Sequence, residues 1–356
     1  MKRIESMRIT SLGRPFYHYP KSSISANNAF VSAPKSLSGA DIFCFKGSEK
    51  LGDKIGIIPS TSQTSLEKNI QTNLGVKPIP TEVKKFKNGE TYVNIQGNVR
   101  GKDIYLMPAS SPNVNDNLME TYLKADAAKR GGAKKVIAIL PGFDYARQEK
   151  RTQKGEPIAA RLNMDLLKTS GVDEIITTDL HTPAIEGFAP NSLCVTHLDS
   201  LDSIKEYIES KHLSDLTVVS PDIGGTKRAD KLAKALGCEK AVIYKQRAVH
   251  NEAIAEDLIG DVKDKNCIIY DDMIDTAGTI AAAADLLKKN GALDIYVCAA
   301  HGLLNGDAMR RLEQAPVKEV VVTNSVPPKA NAIGKIKQVD ISPQFADAMR
   351  NISLSA

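Results

Sequence analysis

The stretch CIIYDDMIDTAGT, residues 267–279, joins a strand-like apolar run to three acids and a turn of small residues. The apolar run predicts a buried strand that ends at Tyr270, which would place Asp271 and Asp272 at its carboxyl end. Residues 276–279 predict a short turn that opens the next helix. Ligands of open α/β sheets bind beyond the carboxyl ends of strands, so the pattern indicates a ligand site.

The two ends of this stretch suit two different chemical groups. Small residues in the turn allow backbone N–H groups to approach an anion, and the N-terminus of the helix adds partial positive charge. Carboxylates instead accept hydrogen bonds from sugar hydroxyls and bind Mg²⁺. A phosphorylated sugar would satisfy both ends. The plainer interpretation, a capped helix beside solvated acids, leaves three acids within five positions unexplained.

From Lys54 onward, short apolar runs rich in β-branched residues alternate with helical stretches. The predicted strands lie within residues 54–60, 102–108, 134–141, 174–180, 216–222, 240–245, 266–272, 294–300 and 319–324. The predicted helices lie within residues 117–131, 157–171, 202–210, 226–237 and 279–291. This alternation predicts an α/β fold of two tandem, doubly wound parallel sheets. Residues 127–142 resemble residues 286–302, which indicates two copies of one unit.

Composition narrows the class of protein. The length of 356 residues predicts roughly two domains. The net charge of +5 is concentrated in residues 1–53, whose eight basic and four acidic residues supply +4. The nearly neutral remainder and the aromatic content of 5% argue against a nucleic-acid partner. No apolar run approaches the length of a membrane span, and five widely spaced cysteines indicate unpaired thiols in a reducing compartment.

The N-terminal segment has a composition of its own. Residues 1–39 contain eight serines, six basic residues and a single acid, without a sustained hydrophobic period. A disordered leader explains this composition, and an organelle transit peptide is the alternative, since such peptides are basic, rich in serine and poor in acids. We therefore expect a cytoplasmic protein, or an organellar one if residues 1–39 are a transit peptide. The predicted domains are an N-terminal extension at 1–53, an N-terminal domain at 54–200 and a C-terminal domain at 201–356.

The stretch 267–279 resembles the ribose-phosphate loop of phosphoribosyltransferase-type folds. Six further segments resemble motifs of the ribose-phosphate pyrophosphokinase family in the same order. These segments are FKNGETYVNIQGNVRGKDIYLM (86–107), NDNLMET (115–121), YARQEKR (145–151), TTDLHTPAIEGF (177–188), VVSPDIGGTKRA (218–229) and KQR (245–247). The resemblance implies two phosphoribosyltransferase-like domains. It also implies transfer of the β,γ-diphosphoryl group of ATP to the 1-hydroxyl of ribose 5-phosphate, giving AMP and phosphoribosyl diphosphate (PRPP).

The same resemblance implies roles for individual residues. The ATP-binding residues would be Phe86, Asn88, Gly89, Glu90, Arg147 and Gln148. The residues that bind ribose 5-phosphate would be Arg247, Asp271, Asp272, Asp275, Thr276, Ala277, Gly278 and Thr279. The catalytic residues would be Lys245 and Arg247, and the metal ligands would be His181 and Asp222. The polar segment 245–258 predicts a lid that closes over ATP.

The implied cofactor is Mg²⁺, and the implied partners are ATP, ribose 5-phosphate and further copies of the chain, which form a hexamer in the family. A phosphoribosyltransferase that consumes PRPP is one alternative, but it would lack the FKNGE and YARQ segments. A catalytically silent regulatory partner is another, but it would be expected to lose Lys245, Arg247 or an aspartate of the ribose-phosphate loop. The chain departs from the family at Gly155 and Glu156, in a loop linked to regulation by ADP and phosphate, so that regulation is not carried over.

Overall fold

A computed structural model describes residues 51–107, 113–246 and 255–354 of the chain. The first half contains the elements α1 (Leu51–Lys54), β1 (Ile55–Ile58), α2 (Ser65–Leu74), β2 (Thr81–Lys85), β3 (Thr91–Ile95), β4 (Asp103–Leu106), α3 (Val114–Arg130), β5 (Lys135–Leu140), α4 (Ala159–Thr169), β6 (Glu174–Thr178) and β7 (Cys194–Leu198). Short 3₁₀ turns span Ala146–Gln148 and Pro183–Phe188. The predicted leader at residues 1–39 lies outside the described residues.

The second half repeats the alternation of helices and strands. Its elements are α5 (Leu201–Glu209), β8 (Leu216–Ser220), α6 (Thr226–Leu236), β9 (Glu239–Gln246), β10 (Ala255–Ile259), β11 (Asn266–Ile274), α7 (Gly278–Lys289), β12 (Ile295–Gly302), α8 (Ala308–Gln314), β13 (Glu319–Thr323), β14 (Ile336–Val339) and α9 (Ser342–Leu354). None of the helices described here has the length and apolar character that crossing a membrane requires.

The strands form two main sheets. The first has the order β1-β4-β5-β6-β7, and all its neighbouring strands are parallel. The second has the order β10-β9-β8-β11-β12-β13-β14, in which β10 is antiparallel to β9 and the other pairs are parallel. The strands β2 and β3 form a separate antiparallel hairpin. The predicted α/β fold with two parallel sheets is confirmed.

Helices cover both faces of each sheet, as a doubly wound fold requires. In the first sheet, α3 and α4 pack on one face and α2 and α9 on the other. In the second sheet, α7 and α8 pack on one face and α5 and α6 on the other. The units β4-α3-β5 and β11-α7-β12 contain the two similar sequence segments, and each joins neighbouring parallel strands of its sheet.

The C-terminal helix α9 follows the second sheet in sequence but packs against the first sheet. Phe345 and Met349 are fully buried in the core that α9 shares with α2. The hydroxyl of Tyr105, on β4, donates a hydrogen bond of 3.0 Å to the carbonyl oxygen of Met349. The end of the chain therefore stabilises the first sheet, over a sequence separation that no local pattern reveals.

Replacement of Phe345 by alanine tests this packing. We expect the free energy of unfolding to fall by about 3–5 kcal/mol, because the change removes buried apolar atoms and leaves a cavity. Chemical denaturation followed by circular dichroism measures the loss. The control is Leu354→Ala on the same helix, where the side chain is 63% exposed and the expected change is within about 0.5 kcal/mol. Equal stability of the two variants would contradict the observed packing.

The strand β11 is longer than the sequence predicts. It was expected to end at Tyr270, but it continues to Ile274 because β12 keeps pairing with it as far as Gly302. On its other edge, the pairing with β8 stops at Ile269. Asp271 and Asp272 therefore lie on a strand with one open edge, not in a loop beyond the strand.

Both ends of the segment predicted to form a lid, residues 245–258, belong to β-strands. Strand β9 extends to Gln246 and β10 begins at Ala255, and the two pair in antiparallel register. Strand β10 was not predicted, since its charged residues at 256 and 257 hide the apolar pattern. Residues 247–254, including Arg247, lie outside the described residues, so the predicted lid stays a prediction.

Candidate active site

A cavity of about 1020 Å³ opens at the carboxyl ends of β6, β8 and β11. Parallel strands bring their carboxyl ends to one edge of a sheet, which is the usual ligand position in such folds. The same space is lined by residues that follow β6 in the first sheet and by residues that follow β8 and β11 in the second sheet. The cavity thus lies where the two sheets meet.

Four charged or titratable side chains form a network on one wall of the cavity. His181, which follows β6, lies with its Nδ1 atom 2.7 Å from Oδ2 of Asp272. Arg228, on α6, places Nη1 3.0 Å from Oδ1 of Asp271 and 3.2 Å from Oδ1 of Asp272. The backbone N–H of Asp272 donates to Oδ1 of Asp271 at 2.8 Å. The network therefore joins both sheets through the two adjacent aspartates.

The two aspartates differ in their electrostatic environment. Burial raises the pKa of Asp271 to about 7, and the neighbouring Asp272 carboxylate adds to the increase. Burial also acts to raise the pKa of Asp272, but the hydrogen bond to His181 and the charge of Arg228 outweigh it and hold that pKa well below its usual range. The hydrogen bond to Asp272 in turn raises the pKa of His181. Asp272 is thus the ionised anchor of the network.

The turn after β11 is held from two sides. Asp275 accepts hydrogen bonds from Arg147 Nη1 at 2.7 Å and from Asn305 Nδ2 at 3.0 Å. Ala277 adopts a left-handed backbone conformation with φ 58°, which is uncommon for a residue other than glycine. The helix α7 begins at Gly278 without a side-chain cap. The first N–H groups of a helix have no partner inside it, so this turn presents donors suited to an anion.

The residues expected to bind metal lie in the same cavity without forming a closed cage. His181 and Asp222 both line it. Asp222 Oδ1 accepts a hydrogen bond of 2.9 Å from the backbone N–H of Gly225. Within residues 51–107, 113–246 and 255–354, no group of three or more His, Cys, Asp or Glu side chains is arranged to hold a metal ion.

The structure brings together many of the residues singled out in the sequence. Those that line the cavity are Arg147, His181, Asp222, Asp271, Asp272, Asp275, Thr276, Ala277, Gly278 and Thr279. The residues expected to bind adenine lie elsewhere, because Phe86, Asn88, Gly89 and Glu90 form the turn between β2 and β3. Phe86 is 54% exposed and contacts only the edge-on ring of Tyr92 among the described aromatic residues. Gln148 follows Arg147 but does not line the cavity.

Sequence reasoning missed two residues of this site. Arg228 lies inside the segment VVSPDIGGTKRA. Its position about one helical turn after two glycines was the only sequence feature that could have marked it as a site residue. Asn305, beyond β12, holds Asp275 through its side chain and donates its backbone N–H to the Asp275 carbonyl at 2.9 Å. No motif marks Asn305, because its role depends on how β12 lies beside β11. Lys245 lies near the end of β9.

Comparison with known proteins gives two matching family models. A family model described as the N-terminal domain of ribose phosphate pyrophosphokinase matches residues 55–171, and one described as the phosphoribosyl synthetase-associated domain matches residues 245–355. Ribose-phosphate pyrophosphokinase of Clostridium acetobutylicum is 42% identical over 304 residues, which are 85% of this chain and 95% of the relative. The Bacillus subtilis protein of the same name is 39% identical, with the same coverage of both chains.

A solved structure shows the same architecture over most of the chain. The crystal structure of phosphoribosylpyrophosphate synthetase from Mycobacterium smegmatis superposes with a TM-score of 0.80 at 37% identity. The match covers 85% of this chain and 100% of that chain. The chain belongs to the ribose-phosphate pyrophosphokinase family.

Proposed function

We propose that this protein is a ribose-phosphate diphosphokinase, which transfers the β,γ-diphosphoryl group of ATP to the 1-hydroxyl of ribose 5-phosphate and releases AMP and PRPP. The observation that carries the proposal is the cavity wall of β11, where Asp271 and Asp272 adjoin the open N-terminus of α7. Carboxylates and an anion-binding turn side by side match the two ends of ribose 5-phosphate. Membership of the ribose-phosphate pyrophosphokinase family supports the same activity.

We place the phosphate of ribose 5-phosphate at residues 275–279 and its hydroxyls at Asp271 and Asp272. The backbone N–H groups of the turn and the hydroxyls of Thr276 and Thr279 would donate to the phosphate oxygens. Asp271 and Asp272 would accept from the ribose hydroxyls. Arg147 and Asp222 line the same cavity, within which the 1-hydroxyl would meet the diphosphoryl group.

We place ATP beside the ribose 5-phosphate site, on the side of the cavity where Arg147 lies next to Asp275. Arg147 and Gln148 would contact the nucleotide, and Arg147 would exchange its ion pair with Asp275 for a phosphate. Phosphoryl transfer depends mainly on alignment and charge neutralisation, so Lys245 and Arg247 would cover the charge that develops on the transferred group. Phe86, Asn88, Gly89 and Glu90 lie outside the cavity, which fits adenine binding across a subunit boundary in a homo-oligomer.

His181 and Asp222 are the proposed Mg²⁺ residues, and the contacts of His181 fit that role. A metal-binding histidine commonly donates its other ring N–H to a carboxylate, as His181 can do toward Asp272. Mg²⁺ needs only one or two carboxylates when substrate phosphates and water supply the remaining ligands, so a cage of three protein groups is not required. Bound Mg²⁺ would neutralise phosphate charge, while Asp272 keeps the His181 ring oriented.

We further propose a domain division, an oligomeric state and a cellular location for the protein. The division into domains at 54–200 and 201–356 assigns the nucleotide-binding segments to the first domain and the ribose-phosphate loop to the second. The oligomer is proposed to be a hexamer, as the family resemblance implies. The location is proposed to be cytoplasmic, with an organelle as the alternative if residues 1–39 are a transit peptide.

The first test of the proposed function is a product assay. Purified protein with ATP, Mg²⁺ and ribose 5-phosphate should form AMP and PRPP in equal amounts, and omission of ribose 5-phosphate should stop both. A phosphoribosyltransferase would instead consume added PRPP in the presence of a base. Formation of AMP without PRPP, or of neither product, would contradict the proposal.

The pKa of Asp271 predicts how ribose 5-phosphate binding depends on pH. Because burial raises this pKa to about 7, and the ionised carboxylate is the better acceptor for hydroxyls, affinity should increase as the pH increases through that value. The KM for ribose 5-phosphate should therefore fall between about pH 6 and about pH 8. The substrate phosphate itself titrates near pH 6, so Asp271→Asn serves as the control. An Asp271→Asn variant with an unchanged pH profile of KM would contradict the assignment.

A further inference from the structure

Arg228 connects both aspartates of β11 but has no part in the function proposed so far. We propose that Arg228 is a positioning residue, whose guanidinium holds Asp271 and Asp272 together so that both face one ribose. The inference rests on the proposed function, because it concerns the carboxylates of the same sugar site. It adds a residue to the binding of ribose 5-phosphate and assigns different tasks to the two aspartates.

The geometry explains why such a residue is needed. Successive side chains along a strand point to opposite faces, so two adjacent aspartates normally diverge. Two carboxylates that converge would also repel each other. Arg228 Nη1 donates a hydrogen bond of 3.0 Å to Asp271 Oδ1 and lies 3.2 Å from Asp272 Oδ1, so one guanidinium nitrogen contacts both carboxylates. The guanidinium thus draws the two side chains together and offsets their repulsion.

The fold gives Arg228 access to this position. Strand β8 stops pairing with β11 at Ile269, which leaves the edge of β11 open beside the aspartates. The chain then turns tightly into α6, and a Cβ atom at Gly225 would lie 2.8 Å from Ser220 Oγ. A side chain at this position would force the Ser220 hydroxyl to shift. The same Cβ position lies 3.8 Å from Arg228 Nη1, so the tight turn brings the guanidinium against the open edge of β11.

The ion pair between Arg228 and Asp272 is more buried than a typical surface ion pair. The side chains of Arg228 and Asp272 are 24% and 5% exposed. In the ion pair between Arg130 and Asp126 on α3, the side chains are 79% and 52% exposed. Exposed pairs contribute little because water and salt screen them, whereas loss of one partner of a buried pair leaves a charge uncompensated. Arg228 should therefore influence the site far more than Arg130 influences its surroundings.

The two aspartates also differ in their hydrogen bonds and ion pairs. Both carboxylate oxygens of Asp272 are engaged, Oδ1 by Arg228 and Oδ2 by His181. Asp271 Oδ1 accepts from Arg228 and from the backbone N–H of Asp272. In the described part of the chain, no group donates to Asp271 Oδ2. Asp271 Oδ2 is therefore the most open acceptor for a ribose hydroxyl, while Asp272, besides facing the ribose, keeps the network in place.

The test compares Arg228→Met and Arg228→Lys with the unmodified enzyme. Arg228→Met should raise the KM for ribose 5-phosphate roughly 10- to 100-fold, as expected for lost charge-assisted contacts, and change the KM for ATP by less than about twofold. Arg228→Lys should recover only part of the loss, because an ammonium group lacks the planar fork of a guanidinium. The control Arg130→Met, in the exposed pair with Asp126, should leave both KM values unchanged.

The possible outcomes separate this inference from the proposed function. If the unmodified enzyme makes no PRPP, the proposed function is wrong. If it makes PRPP and Arg228→Met keeps the original KM for ribose 5-phosphate, only the inference about Arg228 is overturned. An equal increase of both KM values would indicate a general structural role and would also overturn it. If Arg228→Met does not fold, the same comparison of KM values in Arg228→Lys decides.

Discussion

Replacement of Lys245 by alanine is expected to lower kcat by roughly 10²–10³-fold, with little change in either KM. The reason is that the ammonium group of Lys245 is assigned to charge that develops on the diphosphoryl group only during transfer. An interaction made only in the transition state lowers kcat and kcat/KM together. Steady-state rates of AMP and PRPP formation, measured at several concentrations of each substrate, give both parameters.

A second lysine on the same strand is a matched control for Lys245. Lys240 lies earlier on β9 and pairs with Asp230 at 2.7 Å, away from the cavity. Lys240→Ala should leave kcat unchanged within about twofold, as expected for a partly exposed ion pair. A Lys245→Ala enzyme with the kcat of the Lys240→Ala enzyme would show that Lys245 is an ordinary surface charge. Arg247→Ala should resemble Lys245→Ala, with some additional loss of substrate binding.

Replacement of Asp272 by asparagine is expected to weaken both the site and the fold. The variant keeps the shape of the side chain but removes the negative charge of Asp272, which contacts both His181 and Arg228. Loss of one partner from a largely buried ion pair costs about 3 kcal/mol of unfolding free energy. The KM for ribose 5-phosphate should rise roughly 10- to 100-fold, since the remaining network no longer orients Asp271.

Two measurements check the Asp272→Asn prediction. Chemical denaturation gives the change in unfolding free energy, and initial rates give the KM for each substrate. The control is Asp126→Asn, which removes the charge of an aspartate that pairs with Arg130 on the surface of α3. Asp126→Asn should change stability by less than about 1 kcal/mol and leave both KM values unaltered. An Asp272→Asn enzyme with the stability and KM values of Asp126→Asn would contradict the network.

Much of the fold follows from local patterns in the sequence. Strands such as β5, with the sequence KVIAIL, are continuous apolar runs because parallel strands are buried on both faces. Helices such as α6 end at a glycine, Gly237, in the left-handed conformation that typically terminates a helix. Features of this kind depend on a few neighbouring residues, and for that reason they were predicted with nearly the observed boundaries.

The features that were missed depend on contacts between distant residues. The hairpin of β2 and β3 is outside the main sheets and lacks a fully buried face, so its residues show no strong alternation. Helix α9 follows the second sheet in the sequence but packs on the first sheet, and no local sequence pattern indicates this contact. Two adjacent acids look like the start of a loop, and only the pairing of β11 with β12 shows that the strand continues.

The residues of the candidate site likewise include some that a local pattern reveals and others that depend on distant contacts. Asp271, Asp272 and the turn at residues 275–279 were recognisable, because their chemistry is concentrated in one stretch. Arg228 and Asn305 were not, since their importance comes from the elements that place them beside Asp272 and Asp275. A single sequence therefore predicts the acids and small residues of the cavity wall better than the side chains that hold them in position.

The proposed reaction moves a diphosphoryl group as one unit from ATP to ribose 5-phosphate. The most direct measurement follows the fate of isotopic label in two parallel reactions, one with ATP labelled at the α-phosphate and one with ATP labelled at the β-phosphate. We expect the α-label in AMP and the β-label in PRPP, in equal amounts and only when ribose 5-phosphate is present. Appearance of the β-label in ADP or in free diphosphate, with none in PRPP, would rule out this transfer.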